Sequence, residues 1–139
     1  MSKPKPPGTP KSGLPVLGER TAAESNLISM MEMWNERDMS QIRRRLEAIM
    51  DPHVEFCDPL HHIHGLDAFE AMVRKFREDY PRAELSRTTK IDQHHDRYRY
   101  EWLIVQDGKT VIPGFDVAQI DPDGKIKRID GFFGPLKKL

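Results

Sequence analysis

Apolar residues recur at helical spacing in three early stretches of the chain and then switch to alternation. In residues 23–37, Leu27, Met30, Met31 and Trp34 fall at i, i+3, i+4 and i+7, which is one face of a helix. Asp38-Met39-Ser40 breaks that pattern, and Ser40 is placed to cap a second helix. Its stripe is Ile42, Leu46, Ile49 and Met50, with Arg43, Arg44, Arg45 and Glu47 outside. Pro52 ends it, because the residue before a proline disfavours the helical region. A third helix starts at Leu66 or Asp67, buries Phe69, Met72, Val73, Phe76 and Tyr80, and closes at Pro81.

Between the second and third helices, residues 53–58 (HVEFCD) alternate as a short strand, Pro59 stops it, and residues 60–65 (LHHIHG) form a loop. After the third helix the pattern is strand only. Residues 83–91 are one strand, and residues 97–105 (RYRYEWLIV) are the clearest, with Tyr98, Tyr100, Trp102 and Ile104 on one face. Asp107-Gly108 marks a tight hairpin. Residues 111–121 follow, bent at Pro113-Gly114. A second turn at Pro122-Asp123-Gly124 leads to the last strand, residues 125–133, with Ile126 and Ile129 apolar. Helices first and a strand meander afterwards make an α+β fold. Three helices against a curved antiparallel sheet enclose a cone, and a cone leaves room for an internal pocket.

Composition trims this picture at one end. Residues 1–19 are dense in Pro, Gly, Lys and Ser, too poor in apolar side chains to offset chain entropy, and read as a flexible tail. The domain is residues 20–139. Over the whole chain 22 basic and 22 acidic residues cancel, which removes the positive field that nucleic-acid binding needs. No apolar run approaches the roughly 20 residues of a membrane span. The tail has no apolar segment of the kind a secretory signal carries. Cys57 is the only cysteine, so no internal disulfide can form, and a cytoplasmic setting fits.

Three blocks then gain meaning: VEFCDP (residues 54–59), HGLDAF (residues 64–69) opening a long helix, and GFDVAQIDPDGKIKRIDGFFG (residues 114–134). With the order of elements, they resemble the nuclear transport factor two-like superfamily, a cystatin-like α+β barrel class that includes steroid Δ-isomerases and SnoaL-like polyketide cyclases. The resemblance implies roles for two acids. Asp58, in Cys57-Asp58-Pro59, stands where the isomerases keep their general base. Asp116, five residues before Asp121, stands where they keep an acid that donates to the substrate oxygen. Phe133 falls where a pocket Trp stands. Met30 falls where the isomerases carry a Tyr on the first helix, so that donor is absent from this helix. The resemblance also implies a homodimer packed through the outer sheet face.

The residues themselves allow this chemistry. A dry carboxylate can take a proton from carbon beside a carbonyl, and a carboxyl kept protonated by an apolar site can meet the oxygen that becomes negative. The expected site is therefore catalytic Asp58 and Asp116, in a pocket lined by Met30, Trp34, Phe56, Phe76, Ile129, Phe133, His61 and Arg99. It needs no cofactor and takes a small apolar carbonyl or epoxide compound, in an isomerase, cyclase or hydrolase reaction. Alternation puts Asp116, Ala118 and Ile120 on one face and Phe115, Val117 and Gln119 on the other. The same residues admit plainer readings: Asp58 capping a loop, Asp116 on an outer face, and the fold serving as a non-catalytic ligand-binding or interaction module. Cys57, Asp58, His61, His62 and His64 are possible metal ligands, but they lack the spacing of strong metal motifs, and no metal is expected.

Overall fold

The computed structural model describes residues 21–139; the tail expected at residues 1–19 lies outside them. Helix α1 (Ala22–Met33) opens with a reciprocal capping box between Thr21 and Glu24 and buries Leu27, Met30 and Met31. It stops short of Arg37 because Asn35 turns away from the helix. The Asn35 amide accepts from the Leu85 backbone N–H at 2.7 Å and donates to the Leu85 carbonyl at 2.9 Å, covering an otherwise open strand edge. Asp38, rather than Ser40, caps the next segment: its carboxylate accepts from the Ser40 N–H at 3.0 Å and starts a single 3-10 turn, so α2 begins only at Ile42.

Helix α2 (Ile42–Ile49) buries Ile42, Leu46 and Ile49. Strand β1 (Met50–Asp58) starts three residues earlier than the proline suggests. Pro52 is tolerated because the pairing register shifts between Met50 and Glu55, where no ladder N–H is required of it. The expected loop at residues 60–65 is instead largely strand β2 (His61–His64), folded back on β1 with Asp58 opposite His61. Helix α3 (Leu66–Asp79) follows, burying Phe69, Met72 and Val73. The strand expected at residues 83–91 is shorter, β3 (Glu84–Arg87), and a further short strand, β4 (Asp92–His94), follows beyond it. Strands β5 (Arg97–Gln106), β6 (Lys109–Ile120) and β7 (Ile126–Phe133) complete the sheet.

The strand order is β2-β1-β7-β6-β5-β3, with β4 also on β5. The sheet is curved and unclosed, and it is mixed rather than wholly antiparallel. β1 and β7 run parallel, with Phe56 beside Ile129. Three helices lie on one face. Buried residues alternate along β5 (Tyr98, Tyr100, Trp102, Ile104) and β6 (Asp116, Ala118, Ile120), so these are the inner positions. One bulge sets that alignment. Val105 pairs with Thr110 but Ile104 pairs with Ile112, leaving Val111 as an extra residue. No described helix is long and apolar enough to cross a membrane.

Arg77 is the buried charge that joins the helices. Its guanidinium donates to the carbonyls of Ala83 (2.8 Å), Tyr80 (3.2 Å) and Pro81 (3.3 Å), and to that of Trp34 at the end of α1. It satisfies carbonyls that two helix ends leave open. Arg77→Ala should lower the unfolding free energy by roughly 2–4 kcal/mol, read from urea titration, because several buried acceptors lose their donor at once. A loss under about 0.5 kcal/mol would show that water replaces the guanidinium freely.

Candidate functional site

A cavity of about 220 Å³ lies between the helices and the inner sheet face. Its walls are mainly aromatic and aliphatic. Trp34 meets Phe76 edge-on at 5.4 Å and Phe69 at 6.1 Å between ring centres, while Phe56 meets Phe69 edge-on at 5.4 Å. On the opposite wall Trp102 stands edge-on to Phe133 at 6.2 Å. Trp102 owes its place to the glycine across the ladder. A Cβ on Gly114 would come within 2.5 Å of the indole ring, so only glycine lets the ring lie flat there. The rim is made of exposed residues, among them Leu60, His61, Lys75 and Tyr80.

Asp116 is in the cavity wall and is only 8% exposed. On β6 it sits between Tyr100 of β5 and Gly131 of β7. The Tyr100 hydroxyl donates to Asp116 Oδ2 at 3.0 Å. Burial pushes the Asp116 pKa from the usual 3.8 up to about 6. The Trp102 indole and the Tyr100 hydroxyl pull it back down, and the charges of Asp58 and Asp130 add to the rise. The Trp102 Nε1–H is buried and completes no hydrogen bond of normal geometry among the described residues, so it acts on Asp116 as a nearby dipole. Burial, and then the neighbouring Asp116, hold the Tyr100 phenol well above its ordinary value, so it remains a donor.

Asp58 ends β1 on the same wall, its side chain 13% exposed. Oδ1 accepts from the backbone N–H groups of Leu60 (2.8 Å) and His61 (2.7 Å) and lies 3.1 Å from His61 Nδ1. These contacts close the turn into β2 and hold the carboxylate still; Oδ2 makes no hydrogen bond among the described residues. Gly131 lies between the two acids. A Cβ there would come within 2.9 Å of Asp116 Oδ1 and 3.4 Å of the Asp58 Cβ, so the missing side chain is what lets both acids share one wall.

Of the residues expected in the pocket, Asp58, Asp116, Trp34, Phe56, Phe76, Phe133 and His61 lie around the cavity. Met30 and Ile129 do not. Both are sealed in the core, where side chains of α1 and of the sheet pack together. Arg99 is on the outer face, paired with Asp92 at 2.8 Å, because it alternates with the inward Tyr98 and Tyr100. It lines a shallower groove of about 660 Å³ there. That groove is larger, but Asp58 and Asp116 are not part of it. The histidines of β2 spread apart: His62 bonds Glu55 at 2.8 Å, and His64 stacks on His53. Among the described residues no three His, Cys, Asp or Glu side chains are placed to hold a metal. Tyr100 and Trp102 are the partners of Asp116 that the sequence did not reveal.

A family model for the SnoaL-like domain matches residues 27–129, and the chain belongs to that family. Solved structures share the fold. One, from Agrobacterium tumefaciens and provisionally called an isomerase of the SnoaL-like family, is 24% identical with a TM-score of 0.77, over 84% of this chain and 100% of that one. A protein of unknown function with a cystatin-like fold, from Methylobium petroleophilum, is 17% identical with a TM-score of 0.69, over 86% and 80%. A Jannaschia protein, provisionally called a SnoaL-like polyketide cyclase, is 16% identical with a TM-score of 0.61, over 83% and 90%. No curated protein matches the chain in sequence.

The raised Asp116 pKa makes stability depend on pH with a definite sign. The unfolded chain releases this proton near 3.8, the folded chain near 6. Stabilisation of the folded state is therefore complete below about 4 and is lost as pH rises through about 6, a loss on the order of 3 kcal/mol. Asp116→Asn should remove this part of the pH dependence and unfold at higher urea than the parent at pH 8. Superimposable midpoint-versus-pH curves for the two proteins would contradict the assignment.

Proposed function

We propose that the cavity is the active site of an acid–base enzyme that isomerises, cyclises or hydrolyses an apolar carbonyl or epoxide compound. One observation carries this reading: two carboxyls share a small apolar cavity, one buried so that it keeps its proton to about 6, the other fixed by its turn with an oxygen left free. In the carbonyl case, Asp58 removes a proton from the carbon beside the carbonyl. The C–H electrons form the carbon–carbon double bond of an enolate, and the carbonyl oxygen takes up the charge facing the Asp116 hydroxyl. Asp58 then returns the proton, to the same carbon or along the conjugated system. With an epoxide, Asp58 takes a proton from water as the water oxygen bonds to a ring carbon, the ring C–O bond breaks and Asp116 protonates the freed oxygen; Asp58 then gives its proton to solvent and Asp116 takes one up. Both routes move only protons and electron pairs within substrate, water and two side chains, so neither requires a cofactor.

Tyr100 gives this reading its internal logic. The phenol that the isomerases hold on their first helix has no counterpart on α1, but a phenol reaches the same acid from the sheet. It steadies Asp116 without facing substrate, which makes it a positioning residue. Asp58→Asn should reduce exchange of the α-protons of a cyclic ketone into deuterated water by at least about a hundredfold, followed by NMR, with the fold intact. Tyr100→Phe should move the alkaline limb of the pH–rate profile upward, because Asp116 loses a donor that favours its anion. Exchange indifferent to Asp58→Asn would leave a ligand-binding module instead.

The outer face suggests how the chain assembles. Phe115 and Phe132 stack across β6 and β7 at 5.2 Å, and Phe132 is 54% exposed. We read this as the contact of a homodimer, the arrangement the family resemblance implies. Sedimentation should show a dimer that Phe132→Glu converts to monomer; a monomeric parent at micromolar concentration would refute it. The free, half-buried Cys57 suits a reducing compartment such as the cytoplasm.

A further inference from the structure

The size and rigidity of the cavity carry the functional reading further, to the substrate class. We propose that the substrate is a single-ring carbonyl compound, or one equally compact, and not a fused polycycle. The inference rests on the acid pair described above, which fixes where the carbonyl oxygen sits. The cavity measures about 220 Å³. This is below the range of pockets that enclose drug-sized ligands.

The walls do not yield in the directions a larger molecule would need. On the core side of the inner sheet face, Met30, Ala118 and Ile129 are packed essentially without exposure and leave no space for a ligand among them. Sideways, Trp102 is pressed against the Gly114 backbone and braced by Phe133. Opposite, Trp34 is held by aromatic neighbours and by the bond from Arg77 to its carbonyl. The cavity opens among the exposed rim residues Leu60, His61, Lys75, Tyr80 and Val111, where a second or third ring would stand in solvent. A ring whose carbonyl meets Asp116 therefore fills the cavity, and a polar substituent on its far side points out beside the Lys75–Asp79 ion pair.

Phenols test this, since a phenol oxygen stands in for the oxygen of an enolate. Calorimetric titration at pH 5, where Asp116 holds its proton, should show para-cresol binding at least tenfold more tightly than the four-ring phenol estradiol. Met72→Ala, which removes wall at the side of α3, should narrow that ratio at least tenfold; Leu85→Ala is a milder enlargement should the first variant melt early. Estradiol binding as tightly as para-cresol to the parent would overturn the size limit and leave the acid pair standing. An unchanged ratio in a folded enlarged variant would overturn it too. Para-cresol that fails to bind, or binds equally well to Asp116→Ala, would overturn the acid–base reading and this inference with it.

Discussion

The structure of the site depends on one contact: the carboxyl of Asp116, out of water, held by the hydroxyl of Tyr100. A buried carboxylate is costly, and this one is accommodated by partial neutralisation rather than by an ion pair. No basic side chain reaches it among the residues that shift its pKa; the phenol and the indole supply dipoles only. Aromatic walls keep the site dry, and dryness keeps the proton. Each neighbour then has a purpose in that arrangement: Gly131 gives the carboxyl room, Gly114 gives the indole room, and the parallel β1–β7 pair brings Asp58 to the same wall.

The fold was legible where periodicity was strong. Three helices, the β5–β6 hairpin and the final strand stand out because apolar spacing and turn residues agree. The misses have local causes. Pro52 looked like a helix stop but sits in a register shift of β1. The residues after Pro59 looked like a loop because HHIH has little apolar content, yet backbone pairing to β1 makes a strand of it without help from a core. Asn35 ended α1 through a bond to a residue fifty positions away, which no local pattern records.

The site was less legible, and one reason is a single residue. Counting back from the Asp107-Gly108 turn in an unbroken hairpin pairs Tyr100 with Phe115, and would turn Phe115 inward and Asp116 outward. The extra Val111 moves the register by one and sets Tyr100 opposite Asp116. Alternation alone correctly grouped Asp116 with Ala118 and Ile120, and grouped Tyr100 with Trp102, but could not say that the two groups face each other. Met30, Ile129 and Arg99 were placed by resemblance or by parity without a depth coordinate. Met30 and Ile129 are covered by core side chains on every side, and the parity of Tyr98 and Tyr100 decides that Arg99 faces outward.

The start of α1 lies beside the β6–β7 turn: a Cβ on Gly124 would meet Ala22 at 3.3 Å, and the Asn26 amide donates to the Gly124 carbonyl. The cavity rim is at the other end of the same two strands, near Phe133 and Val111. Thr21, where the described residues begin, thus stands at the end of these strands away from the entrance. A side chain of the exposed β6–β7 turn, such as Asp123, can be linked to a surface or a carrier with the entrance left facing the solution.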